Sequence, residues 1–195
     1  MDIVATALVP AGTAQVRAYG STSSRDLNPA NDAALASLTV TGSGTTQTYS
    51  TGSVAVAIPD NTTVEVPLSV PDEGTVVGGV KVGVRLNHTF DSDLTLTLVS
   101  PTGRTVVLAN RRGGSSDNYG SGANDCSGAL TIFDDAATTA IGAGTPPFAG
   151  TFKPEQPLQT IAPGVSDGQW KLRVRDSVGG DTGTLGCFQL TLARK

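Results

Sequence analysis

The chain has 195 residues and a formal net charge of −4, with 15% charged and 5% aromatic residues. That balance excludes the basic face with which a nucleic-acid binder neutralises phosphates. No run approaches the roughly 18 consecutive apolar residues that span a bilayer, and a composition rich in Gly, Thr, Ser and Val favours pleated structure over helix.

The chain opens as an excised fragment would, with Met1-Asp2 leading straight into a β-like run from Ile3 to Leu8. Two more such runs follow, Ala14 to Tyr19 and Ala33 to Val40, set apart by Pro10-Ala11-Gly12 and by Asp26-Leu27-Asn28-Pro29-Ala30-Asn31-Asp32. Three strands do not close a sandwich. The Asn-Pro-Ala-Asn-Asp turn before a last strand resembles the C-terminal end of the Ig-like (DUF11) repeats of bacterial surface proteins, so residues 1–40 are expected to be part of an Ig-like unit. Residues 41–52 are small and polar and are expected to form a linker.

From residue 53 to 195 short strands recur at the spacing of an antiparallel sandwich, punctuated by Pro59-Asp60-Asn61, Pro71-Asp72-Glu73-Gly74, Pro101-Thr102-Gly103 and Gly179-Gly180-Asp181. Alternation assigns the faces: Val80, Val82, Val84 and Leu86 point inward, as do Trp170, Leu172 and Val174, and then Phe188, Leu190 and Leu192. The expected fold is all-β, a jelly-roll-like antiparallel sandwich. Cys126 and Cys187 fit a disulfide of an oxidising compartment, or alternatively two buried free thiols. A bridge would close a loop of roughly 60 residues, about 4 kcal/mol on the chain-entropy model. Cys187 is out of phase with the inward face, so its bridge should pin a surface loop.

Three patterns carry candidate chemistry. His88, the only histidine, continues the inward register of Val84 and Leu86 and is expected to be a buried structural imidazole. Gly164-Val165-Ser166-Asp167-Gly168 matches the nucleophile-elbow pattern, but a strand follows where the elbow needs a helix, so no hydrolase is expected from it. The stretch 113–126, followed by Phe133-Asp134-Asp135-Ala136, concentrates short oxygen side chains in a Gly-rich loop. Hard cations such as calcium take six to eight oxygens from such loops; the alternative is a polar loop in which Asp and Asn cap turns. Asp134 and Asp135 would diverge in an extended strand and share an ion only across a turn or bulge. Asp176 and Asp181 flank a second loop, either another ion site or a tight turn.

The run Asn87-His88-Thr89-Phe90-Asp91-Ser92-Asp93-Leu94 with Ser100-Pro101-Thr102-Gly103 resembles the H-T-x-x-x-D-L…S-P-x-G pattern of the P domain (P/Homo B domain). So do Arg111-Arg112-Gly113-Gly114, Phe148-Ala149-Gly150-Thr151-Phe152, and Gly168-Gln169-Trp170-Lys171-Leu172-Arg173-Val174-Arg175-Asp176 with Gly180-Asp181-Thr182-Gly183-Thr184-Leu185. P domains follow the catalytic domain of subtilisin-like proprotein convertases and occur in many bacterial secreted proteins. The resemblance implies a non-catalytic, secreted or surface-displayed accessory module, stabilised by calcium at Asp134, Asp135, Asp125, Asp117 and Asn118. Its partners would be neighbouring domains of the same polypeptide, a serine protease or surface repeats among them. The alternative is a structural or adhesin subunit that self-assembles by strand addition through residues 1–40.

Overall fold

The computed structural model describes residues 12–19, 33–40, 45–71, 77–161 and 167–194. The chain divides into two compact units, the first reaching Gly44 and the second covering Thr45–Arg194. In the first, β1 (Gly12–Tyr19) pairs antiparallel with β2 (Ala33–Val40). These match two of the expected strands; the third, Ile3 to Leu8, lies outside the described residues.

The second unit is a sandwich of two sheets, built from β3 (Thr45–Ser50), β4 (Val56–Ile58), β5 (Thr63–Val70), β6 (Val77–His88), β7 (Leu94–Val99), β8 (Thr105–Asn110), β9 (Thr131–Asp134), β10 (Gly150–Phe152), β11 (Gly168–Asp176) and β12 (Gly183–Arg194). One sheet runs β10-β9-β6-β12-β3, with β4 also on β12; the other runs β5-β11-β7-β8. All pairs are antiparallel except β9 with β10, which is parallel. The long connection 135–149 gives that pair the crossover it requires. The alternation read from the sequence is the alternation of burial. Val82, Val84 and Leu86 of β6 and Phe188, Leu190 and Leu192 of β12 form one core layer, against Trp170, Leu172 and Val174 of β11 and Leu96 and Leu98 of β7.

The sandwich begins at Thr45, so residues 45–50 are strand rather than linker. β3 is an edge strand with every side chain exposed except the half-buried Tyr49, which leaves no apolar alternation to mark it. Main-chain pairing with β12 holds it, from Gln189↔Ser50 to Arg194↔Thr45, helped by the Thr48–Thr191 hydroxyl pair at 2.8 Å.

A bulge at Gly186 shifts the register of β12 on β6 between Leu185 and Cys187. The extra residue lets both Leu185 and Phe188 face the core while Cys187 faces out. Position 186 admits only glycine, because a Cβ there would lie 2.1 Å from Asn124 O. Cys187 is nonetheless fully buried, since the 111–130 loop lies over it and is tied down by the Cys126–Cys187 disulfide. Replacing both cysteines with serine should cost about 3 kcal/mol, less than the full loop-entropy value because denatured chains keep some compactness. Urea unfolding of the double variant reads this directly; an unchanged midpoint would mean that the bridge does not stabilise the fold.

Candidate functional site

β6 carries the inward register one step past Leu86 to His88, whose side chain is sealed from solvent. Its Nε2 faces Asp176 Oδ2 at 3.2 Å and its Nδ1 faces the Phe90 main chain. Asp176 closes β11, and its other oxygen accepts the Val178 N–H at 3.1 Å. Burial, and then the charges of Asp176 and Asp181, push the Asp93 carboxyl up. Asp181 accepts the Thr89 hydroxyl at 2.7 Å. The 176–181 loop is thus held by hydrogen bonds to its acids, as a tight turn is. The imidazole is engaged at both ring nitrogens and its side chain is sealed from solvent. Ser166 lies outside the described residues, and Gly168 already opens β11.

Four of the five expected calcium ligands, Asp134, Asp135, Asp125 and Asn118, are each engaged by a different neighbour. Asp134 ends β9 in an ion pair with Lys81 at 2.7 Å and accepts the Ala136 N–H. Burial alone would raise its carboxyl, but Lys81 and that N–H outweigh it and hold it below the ordinary range. Asp135 points elsewhere, accepting the Leu158 and Gln159 N–H groups at 2.8 Å each, where it caps the short 3-10 turn Leu158–Thr160. Asp125 is occupied by the Ser127 hydroxyl and N–H, which lower its pKa. Asn118 Oδ1 accepts the His88 N–H at 3.1 Å. Asp134, Asp135 and Asp125 thus accept the N–H groups of turns, which is the alternative the loop composition left open. Among the described residues no three His, Cys, Asp or Glu side chains come together to hold a metal.

One acid is different. Asp91 opens the 3-10 turn Asp91–Asp93 ahead of β7; it is 0% exposed, and neither carboxylate oxygen has a hydrogen-bond partner. Loop 113–118 folds over it: Asp91 N–H donates to Ser116 O at 2.8 Å and Ser92 N–H to Gly114 O at 3.1 Å. Gly113 approaches so closely, at φ +99°, that a Cβ would meet the Asp91 Cβ at 2.7 Å. Desolvation and then the nearby Asp117 charge push the Asp91 carboxyl up to about 7, only partly offset by the nearby Asn118 main-chain N–H, whose own hydrogen bond goes to His88 O at 3.2 Å. Tyr119, stacked on Phe148, brings a third buried and unpartnered oxygen; burial and the Asp91 charge push its phenol up. Two carboxylates and a glycine-rich wrapping loop fit a hard, oxygen-seeking cation such as calcium.

Arg85 also escaped the sequence reading. It alternates outward on β6, yet it is 3% exposed because the 111–130 loop covers it. Its guanidinium donates to Ala123 O, Leu86 O and Gly122 O at 2.8–3.1 Å, and burial lowers its pKa against an opposing pull from Asp125. It is the hydrogen-bonding post on which the loop rests.

The β6–β9 region that frames this loop is also the region that matches a known family. Residues 77–137 match the family model of the proprotein convertase P-domain. Beyond that P-domain match, the chain is 33% identical over 137 residues to the transglutaminase-activating metalloprotease of Streptomyces mobaraensis, covering 70% of this chain and 14% of that protein. It is 27% identical over 139 residues to leupeptin-inactivating enzyme 1 of Streptomyces exfoliatus, of which it spans 24%. The chain therefore spans a small part of the length of these curated relatives. The fold is shared with the crystal structure of a serine protease of Aeromonas sobria, at TM-score 0.50 and 15% identity, over 80% of this chain and 28% of that one.

Proposed function

We propose that residues 45–194 form a non-catalytic accessory P domain of a multidomain secreted or cell-surface protein, supporting the stability, display or binding of neighbouring modules. The observation that carries this reading is the state of His88: the only imidazole of the chain is fully enclosed and engaged by Asp176, so no histidine base stands at a surface where a substrate binds. The P-domain match over residues 77–137 supports it, as does the coverage of only 14% and 24% of two enzymes, the share expected of an appended module. The disulfide favours an oxidising compartment. Among the described residues no helix is long and apolar enough to cross a membrane. Residues 1–40 are read as the end of a preceding Ig-like repeat.

Calcium is part of this reading. At millimolar external calcium and a dissociation constant near ~10 μM, linkage stabilises the folded state by about 2.7 kcal/mol. The accessory role is tested by incubating the purified chain with labelled casein and a peptide-substrate panel. No turnover above buffer is expected; turnover that co-purifies with the chain and is lost on His88→Ala would overturn the role.

A further inference from the structure

We propose that Asp91 is the buried anchor of a calcium site, with Asp117 as its second carboxylate and the 113–118 loop as its lid, and that the Asp134-Asp135 pair takes no part. The proposal rests on the calcium-stabilised reading above and gives it a location.

The argument is one of unmet charge. A carboxylate with 0% exposure and two unpartnered oxygens is among the costliest groups a protein can bury. Arg111 and Arg112 lead into the loop that covers it, yet neither hydrogen-bonds its carboxylate. Arg111 Nε donates to Ser92 O at 2.9 Å, and Arg112 is paired with Glu155. Lys81 is taken by Asp134 at 2.7 Å, and His88 by Asp176. The charged neighbour that bears on Asp91 is another carboxylate, Asp117, which makes matters worse, while the buried Tyr119 hydroxyl adds an oxygen without a partner. Among the described residues Arg111, Arg112, Lys81 and His88 are thus engaged elsewhere, and although the Arg112 charge bears on Tyr119, no cationic side chain hydrogen-bonds either Asp91 oxygen, which leaves the carboxylate open to a cation from outside.

The loop has the chemistry such an ion needs. Ser116 O and Gly114 O each accept one hydrogen bond from the Asp91–Ser92 main chain, which leaves each carbonyl a second lone pair. Glycines at 113 and 114, both with positive φ, let the loop close on the carboxylate. The donors are all oxygen, without nitrogen or thiolate, which selects calcium over zinc. Calcium's tolerance of irregular geometry suits main-chain ligands better than the octahedral demand of magnesium.

The test uses the whole chain with the metal alone. Thermal melting is followed in EDTA, in 1 mM calcium and in 1 mM magnesium, and calcium binding is measured by calorimetry, for the wild type and for Asp91→Asn, Asp117→Asn and Asp134→Asn. Calcium should raise the wild-type melting temperature by about 5–10 °C, and magnesium by less. Asp91→Asn keeps the shape of the side chain and should lose at least tenfold in calcium affinity together with the calcium shift; Asp117→Asn should lose part of both; Asp134→Asn should keep both. Terbium luminescence sensitised through Tyr119 should vanish in Asp91→Asn and fall in Tyr119→Phe. An equal calcium shift in wild type and Asp91→Asn, or no heat of calcium binding to the wild type at pH 8, overturns the proposal. In the second case a proton alone neutralises Asp91. Neither result touches the accessory role, which falls only on turnover by the chain itself.

Discussion

Asp176→Ala should cost about 4 kcal/mol of folding stability, read as a lower midpoint in urea with an unchanged slope. His88 and Asp176 are both sealed from water, and their 3.2 Å contact joins β6 to β11 across the two sheets. Removing one partner of a buried pair leaves the other without compensation, which typically costs 3–5 kcal/mol, while replacing both with well-packed apolar groups is often neutral. Asp176 also holds the Val178 N–H at the start of the 176–181 turn, so alanine gives up that hydrogen bond too. The loss has one offset: Asp93, raised in part by the Asp176 charge, is relieved when that charge goes. Asp176→Asn separates the contributions. It keeps one oxygen to accept the Val178 N–H and turns an NH2 group toward His88 Nε2 in place of the other oxygen, and should cost about 1–2 kcal/mol. The double variant His88→Leu/Asp176→Leu should be less destabilised than the sum of its single variants, because neither is then left orphaned. Additive losses would show that the two side chains stabilise the sandwich independently.

The alternating strands were legible because both of their faces have definite fates. Trp170, Leu172 and Val174 of β11 face a core and Lys171, Arg173 and Arg175 face outward, so the period of two is written in the residues. β3 was illegible for the opposite reason: Thr45 to Ser50 buries almost nothing, and an edge strand held by main-chain pairing has the composition of a linker. The acids show a second limit. Asp134-Asp135 stood out by adjacency, yet the end of β9 sends one to Lys81 and the other to the Leu158 N–H. Asp91 looked like one acid among several in Asp-Ser-Asp-Leu. What singles it out is burial beneath a loop that follows β8, a non-local event that no window around residue 91 contains. Arg85 is hidden in the same way, since its alternation predicts a solvated face and the 111–130 loop covers it. For Cys187 the direction was right and the environment was not, again because that loop lies over the sheet.

Asp91 also gives the calcium-free protein an unusual dependence on pH. Its carboxyl is held at about 7 in the folded chain against an ordinary value of 3.8, through desolvation first and Asp117 second. Between those values the folded state binds the proton and the unfolded state does not, so stability is greatest near the lower value and falls as pH rises through the window. Above about pH 7 both states are ionised and the loss is complete, at most about 4 kcal/mol. Asp93, also raised by burial, acts in the same direction. Glu65 and Asp134 act in the opposite one. Glu65, lowered by Lys171 and Arg173, and Asp134, lowered against its burial by Lys81, contribute stability that is present above their unfolded values and lost as pH falls. In EDTA, urea midpoints should therefore peak near pH 4–5 and decline toward pH 8. Asp91→Asn has no charge to bury and should flatten the decline above pH 5, becoming more stable than the wild type at pH 8 in EDTA. Calcium should restore the wild type at pH 8 and leave it almost unaffected at pH 5, where the proton already occupies the carboxylate. A wild-type stability that rises steadily from pH 5 to pH 8 in EDTA would place the Asp91 charge in water, and with it would go the reason for an ion to bind there.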